Sequence, residues 1–178
     1  ASSTTTADVT IAWPATGSYR AKIRVTDDRG AIALAVVNFD VAEDIHVSAT
    51  TGSDANPGTR LAPVATVAMG LSLAEAGGVP FVLVEAGAYN ENVLLRDNVS
   101  IIGGYSLPGW TRTAGSRSTL SSVTPALRQE GVSGATYTGL VFQSAPAIAP
   151  GSPSIALWLV SCVDLRFVDC AFTAGAGA

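Results

Sequence analysis

The chain has 178 residues, 48% of them hydrophobic and only 13% charged, which excludes a disordered chain and leaves room for one ordinary domain or two small ones. Ten basic against fourteen acidic residues give a net charge of −4 with no Lys/Arg cluster, and Lys22 is the only lysine, so nucleic acid is not the expected partner. Eighteen glycines and nine prolines among many Val, Thr and Ser favour short strands and turns, a mostly β protein.

No apolar run approaches the roughly 20 residues that cross a bilayer. The opening Ala1-Ser2-Ser3-Thr4-Thr5-Thr6 lacks the basic and apolar regions of a signal peptide, so any leader is expected to be removed or to lie outside these residues.

Asp8 to Trp13 reads as a first strand, broken by Pro14-Ala15-Thr16-Gly17. Tyr19, Ala21, Ile23 and Val25 then alternate with Ser18, Arg20, Lys22, Arg24 and Thr26, the period of a strand with one buried face opened by Tyr19. Asp27-Asp28-Arg29-Gly30 supplies the side-chain and glycine chemistry of a turn, and Ala31 to Val41 follows as the second arm of a hairpin. Gly17-Ser18-Tyr19, Ile23-Arg24-Val25-Thr26-Asp27 and Gly30 together resemble the last strands of PKD-type domains, the immunoglobulin-like modules of extracellular bacterial proteins. The resemblance implies a partial β-sandwich over residues 1–43. A full sandwich takes about 100 residues and seven strands, so the expectation is either a chain cut from a longer one or strands supplied by another molecule.

After residue 43 the texture changes, and a second domain is expected over 44–178. Ile45-His46-Val47 leads into turn formers from Thr51 to Thr59. Pro63 then opens a helix over about 63–76, with Val64, Val67, Ala68 and Leu71 on one face and Gly77-Gly78 at its end. Short strands follow at Phe81–Val84, Gly87–Tyr89, Val93 with Leu95, and Val99 with Ile101. Later segments at Thr119–Ser122, Ala135–Phe142 and Ile155–Phe172 repeat the pattern. In the last, Leu165, Phe167, Cys170 and Phe172 read as inward residues, Asp164 and Asp169 as bends, and Trp158 as core. Ser144 to Pro153 reads as a protruding loop.

The order Gly52-Ser53-Asp54, Asn56-Pro57-Gly58-Thr59, Pro63, Thr66-Val67, Leu71, Gly87-Ala88-Tyr89-Asn90-Glu91, Val99-Ser100-Ile101 and Gly103-Gly104-Tyr105 closely resembles the N-terminal cap and first coils of pectate-lyase-like proteins. The resemblance implies a right-handed parallel β-helix whose single α-helix plugs one end, with a second cap still to come after Ala178. Enzymes of that kind are lyases that hold calcium with clustered aspartates and use an arginine or lysine as base, or hydrolases with clustered carboxylates.

No such constellation is visible in the sequence, so no catalytic residue is assigned and the reading leans away from an enzyme. Asp54 is expected to cap its own turn, and Glu91 and Asp97 to sit at coil corners. Asp27, Asp28 and Asp54 are the candidates for calcium, against which stands calcium's need for about six oxygens or more. Tyr105, Trp110 and Arg112 are the candidates for ligand binding, with Trp110 either stacking on a sugar or packing against the outside of a coil. His46, the only histidine, has no serine or cysteine motif near it. Cys162 and Cys170 match no zinc or redox spacing and are either a disulfide or two compact core thiols.

The functional expectation is a non-catalytic secreted or cell-surface bacterial protein, adhesive or binding a glycan or protein along the β-helix. The alternatives are a polysaccharide lyase or glycoside hydrolase, and a self-assembling subunit of an extracellular filament joined through open ends.

Overall fold

The structure is a computed structural model that describes residues 17–41, 43–124 and 126–178. The described residues are mostly β, with one helix among them, and the chain divides into two compact units, residues 1–42 and 43–178. Glu43 therefore joins the second unit, one residue earlier than the expected boundary.

The first unit contains a hairpin of β1 (Gly17–Thr26) and β2 (Ile32–Val41), paired antiparallel from Gly17↔Val41 to Thr26↔Ile32. Its turn forms as the sequence predicts. Asp27 Oδ1 accepts from the backbone N–H of Arg29 at 3.0 Å and of Ala31 at 2.7 Å, and Gly30 takes a positive φ of 83°. The expected buried face differs. Tyr19 and Ala21 are half-buried, whereas Ile23, Val25, Ile32, Leu34, Val36 and Val37 are exposed. Two strands have a face but supply no second layer to cover it. The strand expected at Asp8–Trp13 lies outside the described residues.

The second unit is a stack of parallel strands. β3 (Asp44–Val47) precedes the helix α1 (Val67–Gly77), followed by β4 (Phe81–Glu85), β5 (Ala88–Asn90), β6 (Ser100–Ser106), the short β7 (Thr111–Arg112) and β8 (Ser118–Ser121). Then come β9 (Ala126–Glu130), β10 (Thr136–Thr138), β11 (Leu140–Gln143), β12 (Ile155–Val160), β13 (Arg166–Val168) and β14 (Ala171–Thr173). They form three parallel sheets, in the orders β13-β10-β6-β4-β3, β14-β11-β8-β5 and β12-β9, with β7 added antiparallel to β6. The last two layers repeat at thirty residues, Thr136 against Arg166, Val141 against Ala171 and, beyond a register shift between Ile155 and Trp158, Glu130 against Val160.

That register places like residues above one another. Ile45, Val82, Ile101, Tyr137 and Phe167 make one interior column. Tyr89, Leu120, Phe142 and Phe172 make another, in which the last two rings stack at 5.4 Å with 9° between planes. The chain turns between sheets through single left-handed residues, Asn98, Gly134 and Asp164 at one corner and Gly139 and Asp169 at another. Only Gly, Asn and Asp enter that region readily, so the bends expected at Asp164 and Asp169 are where the sequence placed them.

The helix α1 lies on β3 and β4 and buries Val67, Gly70, Leu71 and Ala74. A Cβ on Gly70 would stand 2.6 Å from Val47 Cγ2, so glycine permits the close approach of helix to sheet. The helix begins later than expected. Val64 precedes it, buried in a bridge to Val47, and Ala68 faces out. Thr66 is the N-cap, and Gly78 closes the C-terminus in the left-handed conformation. Val93 and Leu95 are buried but form no strand; the Gln129 side chain serves their backbone instead, accepting from Leu95 N–H at 2.9 Å and donating to Val93 C=O at 2.8 Å. Among the described residues no helix is long and apolar enough to cross a membrane.

Candidate functional site

Tyr105, Trp110 and Arg112 come together around the β6–β7 excursion, but not as an open surface. Trp110 is only 9% exposed. Its ring meets His46 edge-on at 4.5 Å and Tyr105 at 6.0 Å. Its indole N–H donates to Arg60 C=O at 3.3 Å while Arg60 Nη2 donates to Gly109 C=O at 2.7 Å, a reciprocal clasp between two loops. Of the two readings of Trp110, packing against the coil is the one its geometry fits. Arg112 lies along a corner, with Nε donating to Gly103 C=O at 2.7 Å and Nη2 3.8 Å from Asp169 Oδ2; Arg117 pairs more closely with the same carboxylate. The two arginines thus tie the excursion to a later layer.

His46 is buried beside Trp110, and its Nδ1 has no hydrogen-bond partner. Desolvation holds its pKa below the ordinary 6.5, and the nearby Arg60 charge acts the same way against the backbone carbonyl of Asp44. Burial moves Asp44 in the direction of the neutral acid, above 3.8. The contact its ring makes is aromatic, with the indole of Trp110.

Several carboxylates serve the chain itself. Asp27 is occupied by the hairpin turn, with Asp28 beside it. Asp54 does not cap its own turn as expected; it accepts from Ala65 and Thr66 N–H at 2.9 Å, holding the approach to α1. Glu91, expected at a coil corner, reaches the first turn of α1, where Oε1 accepts from Val67 N–H at 2.8 Å and Oε2 from Ala68 N–H at 2.9 Å. A negative charge there meets the positive end of the helix dipole. Asp97 does sit at a corner, accepting from Ser133 N–H and Oγ of the next layer. Glu85 is buried and takes Ser48 Oγ at 2.7 Å and Thr50 Oγ1 at 2.9 Å. Among the described residues no group of three or more His, Cys, Asp or Glu is placed to hold a metal ion.

Cys162 and Cys170 are separate thiols, not a disulfide. They stand one layer beyond Val132 and Leu140, in the same interior positions, as small apolar fillers. Desolvation raises the Cys170 thiol pKa, which keeps it protonated.

Trp158 also departs from its expected place. Expected in the core, it is 50% exposed on β12. Its partner across the parallel pair is Arg128 on β9, whose guanidinium lies 5.9 Å from the indole centroid. Glu130, two residues along β9, holds Arg128 Nη1 at 2.8 Å. Between them Gln129 points the other way, buried and bonded to the backbone of Val93 and Leu95, which fixes the outward side of β9. Here a large aromatic ring, a cation and an anion meet on sheet backbone.

Comparison with protein-family models, curated proteins and solved structures gives no match to this chain.

Proposed function

We propose that residues 43–178 are the capped beginning of a right-handed parallel β-helix of the pectate-lyase-like kind, preceded by the last strands of a PKD-type module, in a secreted or surface-anchored bacterial protein. In this reading the protein works without catalysis: the β-helix presents a long rigid side to a glycan or a protein, and the module before it acts as a spacer. The observation that carries the reading is the register of the last two layers, where β10 with β13 and β11 with β14 repeat at thirty residues, and β9 with β12 does so from Arg128 on, with inward columns of matching side chains. Such a stack fixes the outward side chains at strand spacing, a rigid ruler suited to a repeating polymer. The self-engaged carboxylates, Asp54 and Glu91 at the helix and Asp97 at its corner, support binding over bond cleavage.

The reading is tested by electrophoresis of the protein through gels cast with neutral and acidic polysaccharides, with and without calcium, alongside an assay for new chain ends. The expected result is retardation by at least one polymer with no unsaturated or reducing ends released. Release of such ends would replace this reading with a polysaccharide lyase or hydrolase.

A further inference from the structure

Trp158 stands half-exposed on β12, in a chain that buries Tyr137 and Phe142 completely. Trp158 is held there by the backbone. Pairing between β12 and β9 shifts register between Ile155 and Trp158, and beyond the shift Leu157 packs against the core while Trp158 turns out beside Arg128. β12 takes three steps from Ile155 to Trp158 where β9 takes two from Ala126 to Arg128, and an extra residue in one strand of a pair changes the direction of the side chains around it.

We infer that Trp158, Arg128 and Glu130 form a saccharide subsite for a neutral pyranose unit of a glycan, an assignment that rests on the glycan-binding reading above. A pyranose presents a flat face of C–H groups that stacks on an indole, and an equatorial fringe of hydroxyls that both donate and accept hydrogen bonds. The indole supplies the apolar platform with little conformational entropy to lose. The guanidinium, a planar donor, lies over one face of the indole 5.9 Å from its centroid and is paired at 2.8 Å with the carboxylate, an acceptor, so hydroxyls of a sugar on the other face meet one of each at the ring's edge. The two charges cancel. A polyanion such as a uronate chain gains nothing from Arg128 that Glu130 does not oppose, which selects for neutral sugars. Trp110 offers no comparable surface, since its ring is covered by His46 and Tyr105.

The test is a chemical-shift titration of the isotope-labelled full chain with the hexaoses of glucose, mannose and galactose, and with hexagalacturonate. Saturable shifts at the Trp158 indole N–H and the amides of Arg128 to Glu130 with a neutral hexaose are expected. Trp158→Ala is expected to weaken that binding by about tenfold or more, as loss of one aromatic platform does, and Arg29→Ala, in the hairpin turn, to leave it unchanged. If Trp158→Ala loses its dispersed spectrum, Arg128→Ala, an exposed side chain, gives the same reading. Saturable binding that survives both variants overturns the subsite and leaves the glycan-binding reading standing. A stronger response to hexagalacturonate overturns the neutral class. No saturable shift with any of the four oligomers overturns the subsite, and the gel experiment then decides the broader reading independently.

Discussion

The hairpin at 17–41 and the stack at 43–178 are written in the same alternating code and use it differently. In the hairpin, Ile23 and Val25 alternate with Lys22, Arg24 and Thr26, yet the apolar side chains stand in solvent, with Leu34 71% exposed. In the stack, Val82, Val84, Ile101, Leu120 and Phe142 are buried almost completely. The stack brings strands of different sheets around one core, and each inward residue also rests on its counterpart in the next layer. Alternation therefore specifies a strand and the side of it that is apolar. Burial requires a second layer, and that layer is not a property of the strand.

The largest effect that sharpens this contrast is at Phe142. Phe142→Ala is expected to destabilise the stack by about 3–5 kcal/mol, the usual result of removing a fully packed ring. Phe172, one layer on in the same column, is 50% exposed, and Phe172→Ala is expected to cost about 1–2 kcal/mol. Leu34→Ala in the hairpin is expected to stay within about 0.5 kcal/mol. Denaturant unfolding of the three variants measures all of these, and equal losses at Phe142 and Phe172 would break the comparison.

A smaller effect concerns His46. Its folded pKa is held below the unfolded 6.5 by burial. The unfolded chain therefore takes up the proton first, so stability is greatest above that value and falls as pH drops through it. Asp44, raised above 3.8 by burial, works in the opposite sense at lower pH. His46→Phe keeps an aromatic edge on Trp110 and removes both the titration and the unpartnered Nδ1. Thermal unfolding at about pH 7.5 and 5.5 should show a loss in the parent that is reduced in the variant. An unchanged loss in His46→Phe would show that His46 is not its source.

Features set by a few neighbouring residues were legible in the sequence. The Asp27–Gly30 turn, the helix ending at Gly77-Gly78 and the bends at Asp164 and Asp169 each depend on local backbone preference, and each stands where expected. Features set by distant partners were not. Val64 fits the helical period but bridges to Val47, because Thr66 with Asp54 and Glu91 defines a later start. Val93 and Leu95 alternate like a strand, but their backbone partner is the side chain of Gln129.

Trp158 shows the same limit at the candidate site. Ile155 to Val160 is apolar at every position, so period-two reasoning has no polar side to point outward. The register shift and the thirty-residue pairing with Arg128 decide it, and neither is written within the strand. Trp110 was placed in the right excursion, but the reach of Arg60 and His46 across the fold to cover it was not visible locally.

Nuclear Overhauser contacts across the Ile101, Tyr137 and Phe167 column would examine the parallel stack itself. Contacts from Tyr137 to both Ile101 and Phe167 are expected, together with ring-to-ring contacts between Phe142 and Phe172, and without the short Hα–Hα contacts of antiparallel pairs. Strong Hα–Hα contacts between these strands, or the absence of any contact from Tyr137 to Phe167, would contradict the stack and with it the rigid surface on which the proposed function stands.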